Sequence, residues 1–134
     1  MSGMGAEAAA DEALRETREI AVAAAEAMLE GKAEDIIILD LSSLSNFADF
    51  FVIATGLSVV HMTSLADRVQ QRLAQRGIRL SHVEGLESTS WMLLDYLGVL
   101  VHIFAVESRN YYGLERLWGD APVVDWKSEE CLSS

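Results

Sequence analysis

The sequence predicts an α/β sandwich, a mixed sheet of about five strands with helices packed against it. Three observations lead there. Segments with helically spaced apolar residues alternate with β-branched runs of strand length, in the order helix, two strands, helix, short strand, two strands, helix. The 134 residues suffice for one core, because a domain of this size buries roughly 68–70% of its unfolded surface. Although 51% of the residues are hydrophobic, no apolar run approaches the roughly 20 residues that a bilayer-spanning helix needs.

The first helix is expected over about Ala9 to Glu30, where Leu14, Ala21, Ala24 and Met28 fall near a helical repeat and Gly31 stops it. Ile36-Ile37-Ile38-Leu39 and Phe50-Phe51-Val52-Ile53-Ala54 then read as two buried strands, an antiparallel pair. A second amphipathic helix runs from Ser58 to about Gln75, with Met62, Leu65, Val69 and Leu73 on one face, Ser58 as its cap and Gly77 beyond its end. A short extended piece follows at Leu80 to Val83. Trp91 to Asp95 and Val99 to Val106 flank Gly98 as a hairpin. The second of these strands is apolar on both faces, which suits the middle of a sheet covered on each side. The last helix, about Ser108 to Trp118, aligns Tyr111, Leu114, Leu117 and Trp118. The domain is expected to span residues 9–122, with 1–8 and 123–134 as flexible tails.

Charge narrows the function classes. The formal net charge is −11, and residues 1–40 hold 3 basic and 10 acidic side chains against 4 and 5 in residues 41–106. Such a field repels a phosphate backbone and favours a basic protein as partner, with little or no direct nucleic-acid binding. Arg68, Arg72 and Arg76 repeat at helical spacing, which is most simply a solvated face. The N-terminus lacks the basic and apolar regions of a secretory leader, and the single Cys131 builds neither a disulfide framework nor a zinc cluster, so a reducing cytoplasm is expected.

No residue pattern demands catalysis, a cofactor or a metal. Gly56-Leu57-Ser58 at a strand-to-helix junction lacks the lysine and repeated glycines of a phosphate-binding loop, and reads as a serine-capped turn. His61, His82 and His102 have no local ligand partners. His102, on a buried strand, reads as a hydrogen-bonded core imidazole, whereas His61 suits either a cap or a partner contact. Glu84 and Asp95 suit acid–base work or, more plainly, turn structure. Trp91 suits the core or an interface equally. Of the adjacent Tyr111 and Tyr112, about 100° apart on a helix, Tyr112 is the one expected to face outward.

Several runs together resemble the Iojap-type ribosomal silencing factors. They are Asp49-Phe50-Phe51-Val52-Ile53-Ala54-Thr55-Gly56 leading to Ser58 and His61, Val83-Glu84-Gly85 with Trp91 beyond, Asp95, Val101-His102-Ile103-Phe104, and Tyr111-Tyr112-Gly113-Leu114-Glu115-Arg116-Leu117-Trp118. The similarity covers about residues 12–122. It implies a nucleotidyltransferase-like architecture without that enzyme's catalytic residues, and a translational repressor rather than an enzyme. The implied partner is large-subunit ribosomal protein number fourteen (uL14), whose occupation blocks joining of the small subunit under nutrient limitation. Family members also tend to form homodimers. By carry-over, the partner surface comprises Glu84, Trp91, Asp95, Tyr96, Leu97 and Gly98, with Tyr112 in addition. Two departures stand out: Leu97-Gly98 replaces the family's usual Gly-Asp turn, and Val59-Val60 precedes His61 where a basic or polar residue is common. The competing readings are a nucleotide-binding enzyme using Gly56, Ser58, Glu84 and Asp95, and a ribosome-assembly adaptor.

Overall fold

The computed structural model describes residues 2–85, 90–113, 116 and 118–127, with backbone alone at 2–8 and 110–112. Among the described residues, eight elements follow one another: α1 (Ser2–Glu30), β1 (Glu34–Asp40), β2 (Ala48–Gly56), α2 (Val59–Gln75), β3 (His82–Glu84), β4 (Trp91–Asp95), β5 (Gly98–Ala105) and α3 (Val106–Tyr112). The strands form one sheet in the order β1-β2-β5-β4-β3. Only β2 and β5 run parallel; the other neighbours are antiparallel. The mixed five-strand architecture is therefore the expected one, and β5, apolar on both faces, lies at the centre.

Helices α1 and α2 cover one face of the sheet. Ile38, Phe50, Val52, Met92, Leu94, Val99, Val101 and Ile103 meet Met28 of α1 and Met62, Leu65, Val69 and Leu73 of α2 there. The buried face of α1 is mostly alanine (Ala21, Ala23, Ala24, Ala25, Ala27), so its backbone can lie close to its neighbours. The helix starts earlier than its apolar repeat suggests, because Ala6, Glu7 and Ala8 favour helix without adding to a stripe. Arg72 pairs with Glu30, and Arg76 donates to the Glu19 carbonyl at 3.5 Å, so these two members of the arginine face fasten α2 to α1 instead of only facing solvent.

The turn into α2 is built as its residues require. Ser58 Oγ accepts from His61 N–H at 3.0 Å, satisfying an amide of the first turn. His61 accepts from the Leu57 N–H through Nδ1 at 2.9 Å, which places its proton on Nε2 to donate to the Gly31 carbonyl at 2.8 Å. Both ring nitrogens are thus spent on tying the turn to the end of α1.

Two departures from expectation concern the C-terminal part. The expected last helix is interrupted: α3 ends at Tyr112, where Gly113 adopts the left-handed conformation (φ 63°) that closes helices, and Arg116 is helical again beyond it. The Leu114 and Leu117 positions of the expected stripe lie outside the described residues, as do the Tyr111 and Tyr112 side chains. Beyond Pro122 the chain is held by hydrogen bonds: Asp40 N–H donates to the Pro122 carbonyl at 2.8 Å, Val124 N–H donates to Ile38 at 2.8 Å, and Val123 bridges Leu39. Val123 and Val124 are therefore bridged to the outer edge of β1, where a tail was expected.

Candidate partner-binding surface

The second face of the sheet carries the residues that the sequence singles out. Side chains alternate between faces along a strand, and Val83 packs into the helix-side core, so His82 and Glu84 point the other way. The register then aligns Glu84, Leu93, His102 and Ile53 in one row, Trp91, Phe104 and Thr55 in the next, and His82, Asp95, Leu100 and Phe51 in a third. Trp118 and Ala121 cover the β1-β2 side of this face. Leu93 and Trp91 stay half-buried on the β4 side, and Glu84 is exposed.

Trp91 answers both of its sequence readings. Its ring stacks on His102 (centroids 6.1 Å apart, 18° between planes) and on Phe104 (6.4 Å, 20°), while part of it stays accessible. Its indole N–H donates to His102 Nδ1 at 3.2 Å. His102 is 5% exposed, and Phe51 meets its ring at 4.7 Å in an edge arrangement. Burial pushes the imidazole down to about 4, so it is neutral near pH 7. With Nδ1 accepting, the proton sits on Nε2, which has no hydrogen-bond partner among the described residues.

Asp95, Leu97 and Gly98 form the hairpin tip. Asp95 Oδ1 accepts from Leu97 N–H at 2.9 Å, and Tyr96 N–H donates to the Val99 carbonyl at 2.9 Å. Leu97 and Gly98 both have positive φ (54° and 98°), the signature of a type I′ turn, which favours Asn-Gly. Leu97 is also 76% exposed. Glu84 pairs with His82 at 3.0 Å on the adjoining edge strand.

The structure removes Tyr96 from this surface. Its side chain is 4% exposed on the helix-covered face, where it lines a cavity of about 420 Å³ with Gln70, Ala74, Ile78 and Leu80. Burial raises its phenol to about 12. Pleating explains the correction: neighbours of an outward Asp95 point inward. Conversely, the sequence reading missed Phe47, which is 62% exposed and contacts Phe51 and Trp118 at 6.2 Å, and Leu93, which sits between Glu84 and His102. The period-two rows of β4 and β5 would have shown Leu93. Phe47 lies in an irregular connection with no such period.

The four residues of the enzyme reading are not gathered. Asp95 shares a row with Phe51, five residues before Gly56 on β2, or about 16 Å along the strand. The Ser58 hydroxyl is occupied by its cap. Among the described residues, no group of three or more His, Cys, Asp or Glu side chains is placed to hold a metal ion, and no helix is long and apolar enough to cross a membrane.

A family model described as "Ribosomal silencing factor during starvation" matches residues 14–133. A ribosomal silencing factor of Bacillus subtilis (strain 168) is 39% identical over 102 residues, 76% of this chain and 86% of that protein. The chloroplastic protein Iojap of Zea mays is 31% identical over 78% of this chain and 46% of its own length. The crystal structure of a Chromobacterium violaceum protein superposes with a TM-score of 0.74 at 39% identity, covering 76% of this chain and 85% of that one. The family model over residues 14–133 and these relatives together show that the chain belongs to the ribosomal silencing factor family.

Proposed function

We propose that this chain, acting in the cytoplasm, binds the large ribosomal subunit through uL14 and blocks joining of the small subunit by occupying the shared face. Glu84, Trp91, Asp95, Leu97 and Gly98 form the contact, with Phe47 at its margin and Tyr112 as a further candidate. The observation that carries this reading is Leu97. A leucine held at φ 54° costs the backbone roughly 1–2 kcal/mol, and at 76% exposure it recovers little by packing. Such strain at an exposed apolar tip, with the Asp95 carboxylate held against the Leu97 N–H, suits an anchor for a partner. The acidic chain meeting a basic ribosomal protein raises the encounter rate, and exclusion requires no chemistry.

Light scattering during subunit joining tests the reading. Pre-mixing with the large subunit should inhibit joining, and pre-mixing with the small subunit should not; unimpaired joining by folded protein in both orders would refute it. Leu97→Asn should stabilise the fold by about 1 kcal/mol, since asparagine suits this turn position, while weakening uL14 binding. Denaturation and binding isotherms of that variant check both halves. Phe47 and Leu97 also offer an apolar contact for a homodimer. Mass measured against concentration should show a dimer that uL14 dissociates.

A further inference from the structure

From the Trp91–His102 contact we infer that His102 is a positioning residue, which sets the plane and the N–H direction of Trp91 on the partner-binding face; the inference rests on the surface proposed above. His102 is 95% buried by its 5% exposure, and its Nδ1 lies 3.2 Å from the Trp91 indole nitrogen. The two rings are stacked at 18°, and His102 is itself parallel to Phe104 at 4°. Phe51 closes the remaining side at 4.7 Å. Trp91, which is partly accessible, therefore rests on a layer of rings whose one hydrogen-bond acceptor addresses its N–H.

The fold alone does not call for a histidine here. A phenylalanine would keep the ring, the stacking on Phe104 and the edge contact with Phe51. The imidazole instead brings an Nε2–H that is buried without a partner among the described residues, a feature that ordinarily calls for an explanation. What the imidazole supplies, and phenylalanine cannot, is the acceptor for Trp91. A buried polar group kept at a cost to the core and useful only to a surface residue fits the trade between stability and function. An indole pinned in its bound orientation also loses less freedom on association.

The test uses His102→Phe, which keeps the ring without the acceptor, and His102→Asn, whose amide oxygen lies near the Nδ1 position. Wild type and variants are titrated with purified uL14, and the Trp91 indole N–H is followed by NMR after assignment with Trp91→Phe. His102→Phe should unfold at the same or a higher temperature than wild type, yet bind uL14 about tenfold more weakly. Its Trp91 N–H resonance should shift and exchange faster with water, and His102→Asn should restore both binding and protection in part. Equal binding by wild type and His102→Phe, or an unmoved indole resonance, would overturn the inference alone. Absence of binding by folded wild type would overturn the surface and the inference with it.

Discussion

Gly85→Ala is expected to destabilise the fold by about 2–4 kcal/mol. Two penalties coincide at this residue. Its φ is 79°, in the left-handed region, and a Cβ would stand 2.2 Å from the Trp91 carbonyl oxygen and 3.3 Å from Met92 Cα. The obstacle is backbone, and the Trp91 residue is held in register with Phe104, so relief requires distorting the β4-β5 ladder. Gly77 provides the control: its φ is 76°, but an added Cβ meets nothing within 4 Å. Gly77→Ala should therefore cost only the left-handed penalty, about 1 kcal/mol. Urea unfolding of both variants separates the effects, and equal losses would show that β4 yields freely. Gly85 also lets Glu84 and Trp91 stand side by side, so its alanine variant should disturb both.

Acidification should remove about 3 kcal/mol of stability through His102 alone. Its pKa falls from 6.5 to about 4 on folding because burial penalises the charged ring. Between those values the unfolded chain binds a proton that the folded chain does not, so stability rises with pH across this window. The contribution is fully present above about pH 6.5 and is lost as pH falls towards 4. Protonation also turns Nδ1 into a donor, facing the donor N–H of Trp91. The difference in unfolding free energy between wild type and His102→Phe, measured from pH 7 to 4, isolates the term from the carboxylates. A flat difference would show that the imidazole titrates as freely when folded as when unfolded.

Much of the fold was legible because the core elements carry a strong period. Met62, Leu65, Val69 and Leu73 gave α2 its buried face, and the apolar run around Phe104 placed β5 in the centre. Local chemistry was equally readable at Ser58, whose hydroxyl caps the helix. What escaped depended on tertiary context. Nothing in Val123-Val124 says that β1 offers them an edge, and a helical stripe continuing past Gly113 conceals a left-handed residue that ends the helix. The surface was legible in part for the same reason: motif residues Glu84, Trp91 and Asp95 share a face by pleating. Tyr96, contiguous with them in sequence, is turned inward by the same pleat. The pairing of Trp91 with His102 joins residues on facing strands and required the register to be known.

The parallel pairing of β2 with β5 also governs when a newly made chain completes its sheet. The β1-β2 and β4-β5 pairs each close over short stretches, whereas Phe51 and Leu100 meet only after more than a third of the chain has been brought round. Long-range pairing of this kind pays its loop entropy before it is rewarded, so joining the two halves should set the folding rate. Phe51, which braces the His102 ring, arrives with the first half, and Trp91 with the second. A nascent chain still lacking β5 consequently has neither the His102 ring nor its contacts with Trp91 and Phe51, and the face that carries them exists only once that strand has emerged and docked.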